Sequence, residues 1–148
     1  MQREEQLFGF SLMLDEGDIF FIGPELATVS GVRNLQQALT LRILTPFGSD
    51  RFNTTYGFDA EQAFAHPGGL RMTKELIRLN LVRTLGTDPR VRDITDVLFT
   101  DDPAYRARHT ELSDDDIRDL RHSRLWLVEV TLELIDGKVQ TLSASIGA

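Results

Sequence analysis

The sequence contains no cysteine, which excludes disulfides, thiolate metal sites and cysteine nucleophiles together. It also contains no apolar run near the roughly 18 residues that a membrane-spanning helix requires. The first six residues, 1–6, are charged and lack the basic-then-apolar plan of a secretory signal. We therefore expect a protein that is made in the cytoplasm, initially stays there, and has no membrane partner.

Lysine is scarce, since the only lysines are Lys74 and Lys138 among 16 basic residues. The formal net charge is −7 and the pI is about 4.9. A nucleic-acid-binding protein needs a clustered basic face to neutralise phosphates, so nucleic acid is not an expected partner. The forked guanidinium of arginine suits fixed protein interfaces better than lysine does, but a GC-rich genome explains the same bias more simply.

Groups that carry enzyme chemistry are also few. The three histidines, His66, His109 and His122, show no metal-ligand spacing, so neither a metal nor another cofactor is expected. The sequence has no Gly-x-Ser-x-Gly elbow, no Gly-x-Gly-x-x-Gly and no Walker pattern. A Ser-His-Asp triad stays open, because such groups meet only in space.

Paired carboxylates could serve a glycosidase, which uses two of them. A chain with 23 acidic residues supplies such candidates by chance, and none has the apolar flanks that would raise the pKa of an acid. We interpret nearly all of them as solvated surface charge. The candidates are Glu61, Glu75, Asp88, Asp101, Asp102 and Glu111.

The length of 148 residues predicts a single domain over 1–148 that can bury its own core. Residues 1–25 form an N-terminal arm in which 7–22 make one or two short strands or an extended segment. Gly-Pro at 23–24 is a turn. A charged connector over 101–124 contains a short helix that begins after Ser113.

Two long helices are predicted in the first half, over 31–44 and 70–85, with a short helix over 59–65 between them. Each long helix has two apolar stripes, so each is either buried in its own domain or shared with a partner. The first stripes are Val32, Leu35, Leu39 and Ile43, and Met72, Leu76, Leu79 and Val82. The second stripes are Ala38, Leu41 and Leu44, and Ile77, Leu81 and Leu85.

Strands are predicted over 91–100, from Trp126 to Leu134, and over 138–146. Strict alternation in the middle strand indicates a half-buried antiparallel strand. Asp136 and Gly137 predict a two-residue hairpin turn between the last two strands. The fold class is therefore α+β, with two main helices packed on a small mixed sheet that ends in a C-terminal β-hairpin.

Three motifs carry a family resemblance: the helix NLQQALTLRILTPFG from Asn34 to Gly48, the loop dipeptide Tyr56-Gly57, and Asp88-Pro89-Arg90 after the second helix. Over about 18–97 the chain resembles the small baseplate wedge proteins of contractile phage tails, the phage W-protein and T-even lysozyme-like family. It is most similar to the variant found in extracellular contractile injection systems. Asp88 departs from the glutamate of the family motif.

The resemblance implies a structural protein rather than an enzyme. Six copies surround the spike and hub proteins, contribute helices to a bundle with larger wedge proteins, and template the first ring of sheath protein by strand exchange. It implies assembly in the cytoplasm and then a place in a phage tail-like particle, either a virion or an extracellular injection particle.

The implied partner-binding residues are those of the motifs: Asn34, Leu35, Ala38, Leu41, Arg42, Leu44, Thr45, Pro46, Gly48, Tyr56, Gly57, Asp88, Pro89 and Arg90. The last strand is the implied sheath-docking strand, through Gln140, Leu142, Ala144 and Ile146. Two alternatives stay open: a lysozyme-like peptidoglycan glycosidase, and a sheath-assembly component of a type VI secretion system.

Overall fold

The computed structural model of this protein describes residues 2–147. These residues form six helices and small antiparallel sheets, which confirms the predicted α+β class. The chain divides into two compact units, Met1–Leu41 and Arg42–Ala148. The predicted domain over 1–148 includes Met1 and Ala148, which lie outside the described residues.

The first unit consists of a short helix, a run of small strands and most of a long helix. Its buried apolar side chains are Phe8, Ala27, Val29, Leu35 and Leu39. The elements are α1 (Gln2–Phe8), β1 (Phe10–Leu12), β2 (Leu14–Asp15), β3 (Asp18–Ile19), β4 (Phe21–Ile22), β5 (Glu25–Leu26), β6 (Thr28–Ser30) and α2 (Gly31–Leu44).

The predicted arm is more regular than an extended segment, because its strands pair as β1 with β6, β2 with β3 and β4 with β5. Glu16 and Gly17 both have positive φ, 49° and 92°, as the type I′ turn between β2 and β3 requires. Gly23, with φ 61°, stands first in the two-residue loop between β4 and β5, which confirms the predicted Gly-Pro turn. Helix α1 was not predicted.

Helix α2 has the bounds that the sequence predicts. Amide groups of α2 hold the arm in the first unit: Asn34 Nδ2 donates to the carbonyl of Phe8 at 2.8 Å, and Gln37 Nε2 donates to that of Leu12 at 2.8 Å. The Gln37 carbonyl oxygen also accepts from the backbone N–H of Leu14 at 2.9 Å. These bonds satisfy the carbonyl at the end of α1 and backbone groups of β1 and β2.

The second unit contains the remaining helices and a three-stranded sheet. Asp59 caps α3 by accepting from the N–H of Gln62, and Ser113 and Asp116 form a capping box at the start of α6, so the predicted helix starts are confirmed. The elements are α3 (Ala60–Ala65), α4 (Gly69–Leu85), β7 (Val91–Phe99), α5 (Pro103–Arg108), α6 (Asp114–His122), β8 (Leu125–Leu134) and β9 (Val139–Gly147).

The sheet has the order β7-β8-β9 and is antiparallel throughout. The sequence analysis predicted a mixed sheet, and this detail is wrong. Each strand returns directly beside the one before it in the chain, so all neighbours are antiparallel. Helix α4 packs on β7, where Lys74 and Arg78 lie 5.1 and 5.3 Å from the ring centre of Phe99. The connector helices α5 and α6 also pack on the sheet, against β7 and β8 respectively.

The turn between β8 and β9 differs from the prediction. The N–H of Gly137 donates to the carbonyl of Leu134, and the N–H of Leu134 donates to the carbonyl of Lys138. In this turn only Gly137 has positive φ, at 83°, whereas a type I′ turn would require it of Asp136 as well. The connection is therefore a three-residue loop with a glycine bulge, and the predicted two-residue turn is wrong.

Candidate functional site

Strand β9 is an edge of the sheet, since it pairs with β8 along its whole length and with no other strand among the described residues. Its register with β8 is unbroken from Val139 to Gly147. A regular edge strand offers a row of free N–H and C=O groups to which another chain can pair. This edge is the first candidate for a partner-binding surface.

The bond from Leu134 N–H to Lys138 C=O decides which residues of β9 offer those groups. Antiparallel pairs alternate between bonded and non-bonded, so Gln140 and every second residue after it bond inward to β8. The residues between them direct their N–H and C=O groups away from the sheet. They are Val139, Thr141, Ser143, Ser145 and Gly147, all exposed and none of them charged.

The four residues predicted to dock the sheath therefore lie on this edge strand, but their backbone groups bond inward to β8. Leu142 and Ile146 are buried, and Gln140 and Ala144 are half-buried. The backbone groups that a partner strand would meet belong to the alternate residues. Sequence alternation identifies the buried face of a strand, but the phase of the hydrogen bonds depends on the turn.

The opposite edge, β7, is protected against pairing. Its register shifts twice, between Val91 and Asp93 and between Ile94 and Asp96. Arg92 and both of these aspartates are exposed. Bulges and charges are the devices that keep edge strands from pairing with other chains, so only one edge of this sheet is left open.

Each long helix buries one of its two predicted apolar stripes and exposes the other. In α2 the stripe through Leu39 is buried, whereas Leu44 is 63% exposed. In α4 the stripe through Leu81 is buried, whereas Leu79 is 51% exposed. The exposed stripes also include Leu41, Met72 and Val82. The chain itself therefore leaves part of the apolar surface of these helices uncovered.

The second family motif, Tyr56-Gly57, lies where backbone hydrogen bonds join the two ends of the loop over 45–58. The N–H of Phe58 donates to the carbonyl of Thr45 at 2.8 Å, and the N–H of Gly48 donates to that of Tyr56 at 3.1 Å. At this neck Gly57 has φ 111°, and a Cβ there would lie 2.6 Å from the carbonyl oxygen of Thr45. Only glycine fits such an approach, so the motif glycine has a structural role within this chain.

Arg42 joins the loop to the end of α4. Its guanidinium lies 5.0 Å from the ring centre of Tyr56, and it donates to the carbonyl of Thr84 at 3.2 Å and to the hydroxyl of Thr87. These residues line a cleft of about 520 Å³ together with Asn80. The structure thus brings the first two motifs together around one cleft.

The third motif forms an internal ion pair. Arg90 donates from Nε to Oδ1 of Asp88 at 2.9 Å and from a terminal nitrogen to Oδ2 at 2.8 Å. The Asp88 side chain is only 4% exposed. Burial alone would raise the pKa of Asp88, but the hydrogen bonds and charge of Arg90 hold it below its usual value. Pro89, between them, is exposed.

The predicted partner-binding residues differ in exposure, and Ala38, Arg42, Thr45, Tyr56 and Arg90 are half-buried. Asn34, Leu35, Gly57 and Asp88 are buried within the chain, where they stabilise its own fold. The exposed members are those available to a partner in this conformation. They are Leu41, Leu44, Pro46, Gly48 and Pro89.

One buried polar cluster was missed by the sequence analysis. Glu129, in the middle strand β8, bonds Arg108 and, at 2.8 Å, His109 Nε2. His109 also meets Glu111 at 3.2 Å and stacks on Tyr105 with 4.3 Å between ring centres. Alternation placed Glu129 on a solvated face, and the cluster fastens the connector to the sheet.

Among the candidate carboxylates of a glycosidase, those with a shifted pKa have it lowered. A general acid must have a raised pKa, whereas hydrogen bonds to Arg90 and Lys74 outweigh burial and lower the pKa of Asp88 and Asp102. The pKa of Glu111 is also lowered, by its own backbone N–H and by His109. Asp101 is bound to Lys74 at 2.8 Å, while Glu61 and Glu75 are exposed.

Within residues 2–147 there is no cluster of three or more histidine, aspartate or glutamate side chains that could hold a metal ion. No helix in that range is long and apolar enough to cross a membrane. No protein-family model matches the sequence, and no curated protein is similar to it.

Proposed function

We propose that this chain is a structural baseplate subunit of a contractile injection system that templates the first sheath ring by strand addition. The feature that carries the proposal is the contrast between the two edges of the sheet. Strand β7 is broken by irregularities and charges, whereas β9 is regular and uncharged. Folded proteins normally protect both edges of a sheet against other chains, so the open edge favours pairing with another chain.

The chemistry of the open edge suits an added strand of any sequence. Five residues, 139–147 in alternation, present backbone donors and acceptors over about 27 Å of strand. Main-chain bonds provide the affinity in this mode of recognition, and side-chain pockets provide the specificity. At the Gly147 end, Leu44, Phe47 and Phe64 line a cleft of about 780 Å³ that also reaches Ser145. An apolar side chain of the added strand would fit there.

The exposed helix stripes support the second part of the proposal, a place in a helical bundle with larger wedge proteins. Leu44 and Leu79 are exposed at helical spacing from other exposed apolar residues. Amphipathic helices bind in grooves or bundles through such i, i+3, i+4 anchors. The partners remain those implied by the motifs: wedge proteins, spike and hub proteins, and the sheath.

The decisive substitution is Ser143→Pro. The N–H of Ser143 points outward, so proline removes a donor to the added strand without removing a bond to β8. A carbonyl left unpaired in the added strand costs about 1–3 kcal/mol. Capture of the co-expressed sheath subunit should therefore fall by about tenfold or more, measured by pull-down and by the yield of sheathed particles.

Ser143→Ala is the matched control, because it keeps the N–H and should capture sheath protein as well as the wild type does. Circular dichroism and the thermal midpoint establish that the proline variant is folded. If a folded Ser143→Pro protein still captured sheath protein normally, strand addition at β9 would be wrong. If wild-type protein bound neither sheath nor wedge proteins, and its deletion left normal particles, the whole proposal would be lost.

A further inference from the structure

The N-terminal unit exposes an unusual amount of apolar surface. Phe10 is 75% exposed and Ile22 is 67% exposed. The small strands are too short to bury both of their faces, so apolar side chains stay exposed to different degrees, from 39% at Phe20 to 75% at Phe10. The exposed apolar residues of this surface, here called the arm surface, are Phe10, Leu12, Ile19, Phe20, Phe21, Ile22 and Leu26.

The charge around the arm surface has one sign. Between Arg3 and Arg33 the sequence contains no lysine, arginine or histidine. Asp15 and Asp18 stand directly opposite each other on β2 and β3, and like charges in such a pair destabilise a hairpin. No ion pair with either carboxylate exists among the described residues. The six acids of this stretch are Glu4, Glu5, Asp15, Glu16, Asp18 and Glu25.

Helix α4 offers the complementary surface. Three of its exposed apolar residues, Met72, Leu79 and Val82, lie on one side of the helix, whereas Leu70 lies on the other. Arg71 and Arg83 border the same side, are exposed, and form no ion pair with any residue in 2–147. This side, here called the helix surface, is therefore an apolar stripe with a basic rim, and Glu75 within the stripe is exposed and paired with Arg78.

We propose that the chain associates with a second copy of itself, head to tail, by seating the arm surface of one copy on the helix surface of the next. The apolar stripes bury each other, and the arginines pair with the carboxylates of Asp15 and Asp18. The spacing of about 4.5–5.5 Å between opposite Cβ atoms brings Asp15 and Asp18 within reach of one guanidinium. Lysine would lack that forked geometry.

The two surfaces differ, so the contact is heterologous and each copy can use both at once. Association then continues beyond a dimer, unless the rotation between copies closes a ring. The contact involves neither β9 nor its partner strand, so it can fail while strand addition stands, and the reverse. It does use the same side of α4 as the proposed helical bundle, so one copy cannot engage a wedge protein and a second copy through that side at once. Electrostatic complementarity of this kind sets the orientation of a contact more than its strength.

The test uses the full chain in sedimentation velocity at about 0.15 M salt, where the Debye length of about 8 Å screens the repulsion of net charges but not contacting pairs. We expect the mass of wild-type protein to rise with concentration past that of a dimer. The arm variant D15K/D18K keeps a like-charged cross-strand pair, so the repulsion within its hairpin matches that in the wild type. It and the helix variant R71E/R83E should each weaken association at least about tenfold.

Mixing experiments decide the geometry. Because all four charges are reversed in the quadruple variant, it should regain self-association. The apolar variants F21S and L79S each retain one intact surface, so an equimolar mixture should form a 1:1 dimer and nothing larger, while each alone stays monomeric. That capture also demonstrates that both variants are folded.

Three results would overturn the proposal. The first is a wild-type protein that stays monomeric up to about 100 µM, a concentration above the dissociation constant of ordinary specific contacts. The second is self-association that neither charge reversal weakens. The third is a single-surface variant that still dimerises with itself, because this would show a symmetric contact through one surface.

Discussion

Glu129 and His109 form a hydrogen bond of 2.8 Å, although Glu129 lies in the middle strand of the sheet with a side chain only 8% exposed. An unpaired buried carboxylate would cost several kcal/mol, so its partners are needed wherever it is charged. His109 and Arg108 supply them from the connector. The charged connector is therefore part of the folded sheet domain and not a linker.

The first prediction concerns the pH dependence of stability. Glu129, and then Glu111, raise the pKa of His109 above its usual 6.5, so the contribution of His109 is complete below 6.5 and is lost as pH rises through the folded-state value. Burial would raise the pKa of Glu129, but His109 and Arg108 bring it below 4.5. The contribution of Glu129 is therefore present above 4.5 and lost as pH falls.

The cluster of Glu129, His109 and Arg108 should stabilise the fold most between pH 4.5 and pH 6.5. In urea unfolding from pH 5 to 9, the free energy of unfolding of the wild type should fall as pH rises through the range above 6.5. His109→Gln keeps an amide donor but does not titrate, so its curve should be flatter over that range. Equal slopes for the two proteins would mean that His109 does not sense pH through Glu129.

The second prediction concerns Asp88 and Arg90. Asp88→Asn keeps the shape of the side chain but removes a buried charge that accepts three hydrogen bonds from Arg90. A hydrogen bond to a charged group contributes about 1.5–3 kcal/mol. We therefore expect the free energy of unfolding, measured in urea, to fall by about 2 kcal/mol. Asp93→Asn, at an exposed site, is the control and should change stability by less than about 0.5 kcal/mol.

The third prediction compares two glycines with positive φ. Gly57→Ala would place a Cβ 2.6 Å from a backbone oxygen, whereas Gly137→Ala would meet nothing within 4 Å. Both variants carry the left-handed backbone cost of about 1–2 kcal/mol. The clash should add about 1–3 kcal/mol at Gly57 alone. Similar thermal midpoints for the two variants would show that the backbone around Gly57 can move away from an added Cβ, and the predicted clash would be wrong.

The fourth prediction tests the division of α4 into a buried and an exposed stripe. Leu81→Ala should lower the free energy of unfolding by about 2–5 kcal/mol, because Leu81 is fully buried. Leu79→Ala should lower it by less than about 1 kcal/mol in the isolated protein. A large loss at Leu79 under dilute conditions would place this residue in the core of the chain rather than on a surface open to a partner.

Local signals in the sequence were enough for the main elements. The bounds of α2 and the caps of α3 and α6 follow from proline, glycine and short polar residues acting within a few positions. The alternation in β8 identified the buried face that Val128 and Val130 occupy. Helix α5 was missed because its connector is charged and has little apolar periodicity.

What the sequence determined by itself was therefore secondary structure, the α+β class and the residues able to be buried, because those depend on neighbours along the chain. Only the tertiary structure decided that Glu129 is buried, that Leu79 is left exposed, and that Ser143 rather than Leu142 offers open backbone groups. Each of these depends on what lies across from the residue in space. The open edge of β9 is such a property, since a strand becomes an edge only through the absence of a neighbour in the described sheet.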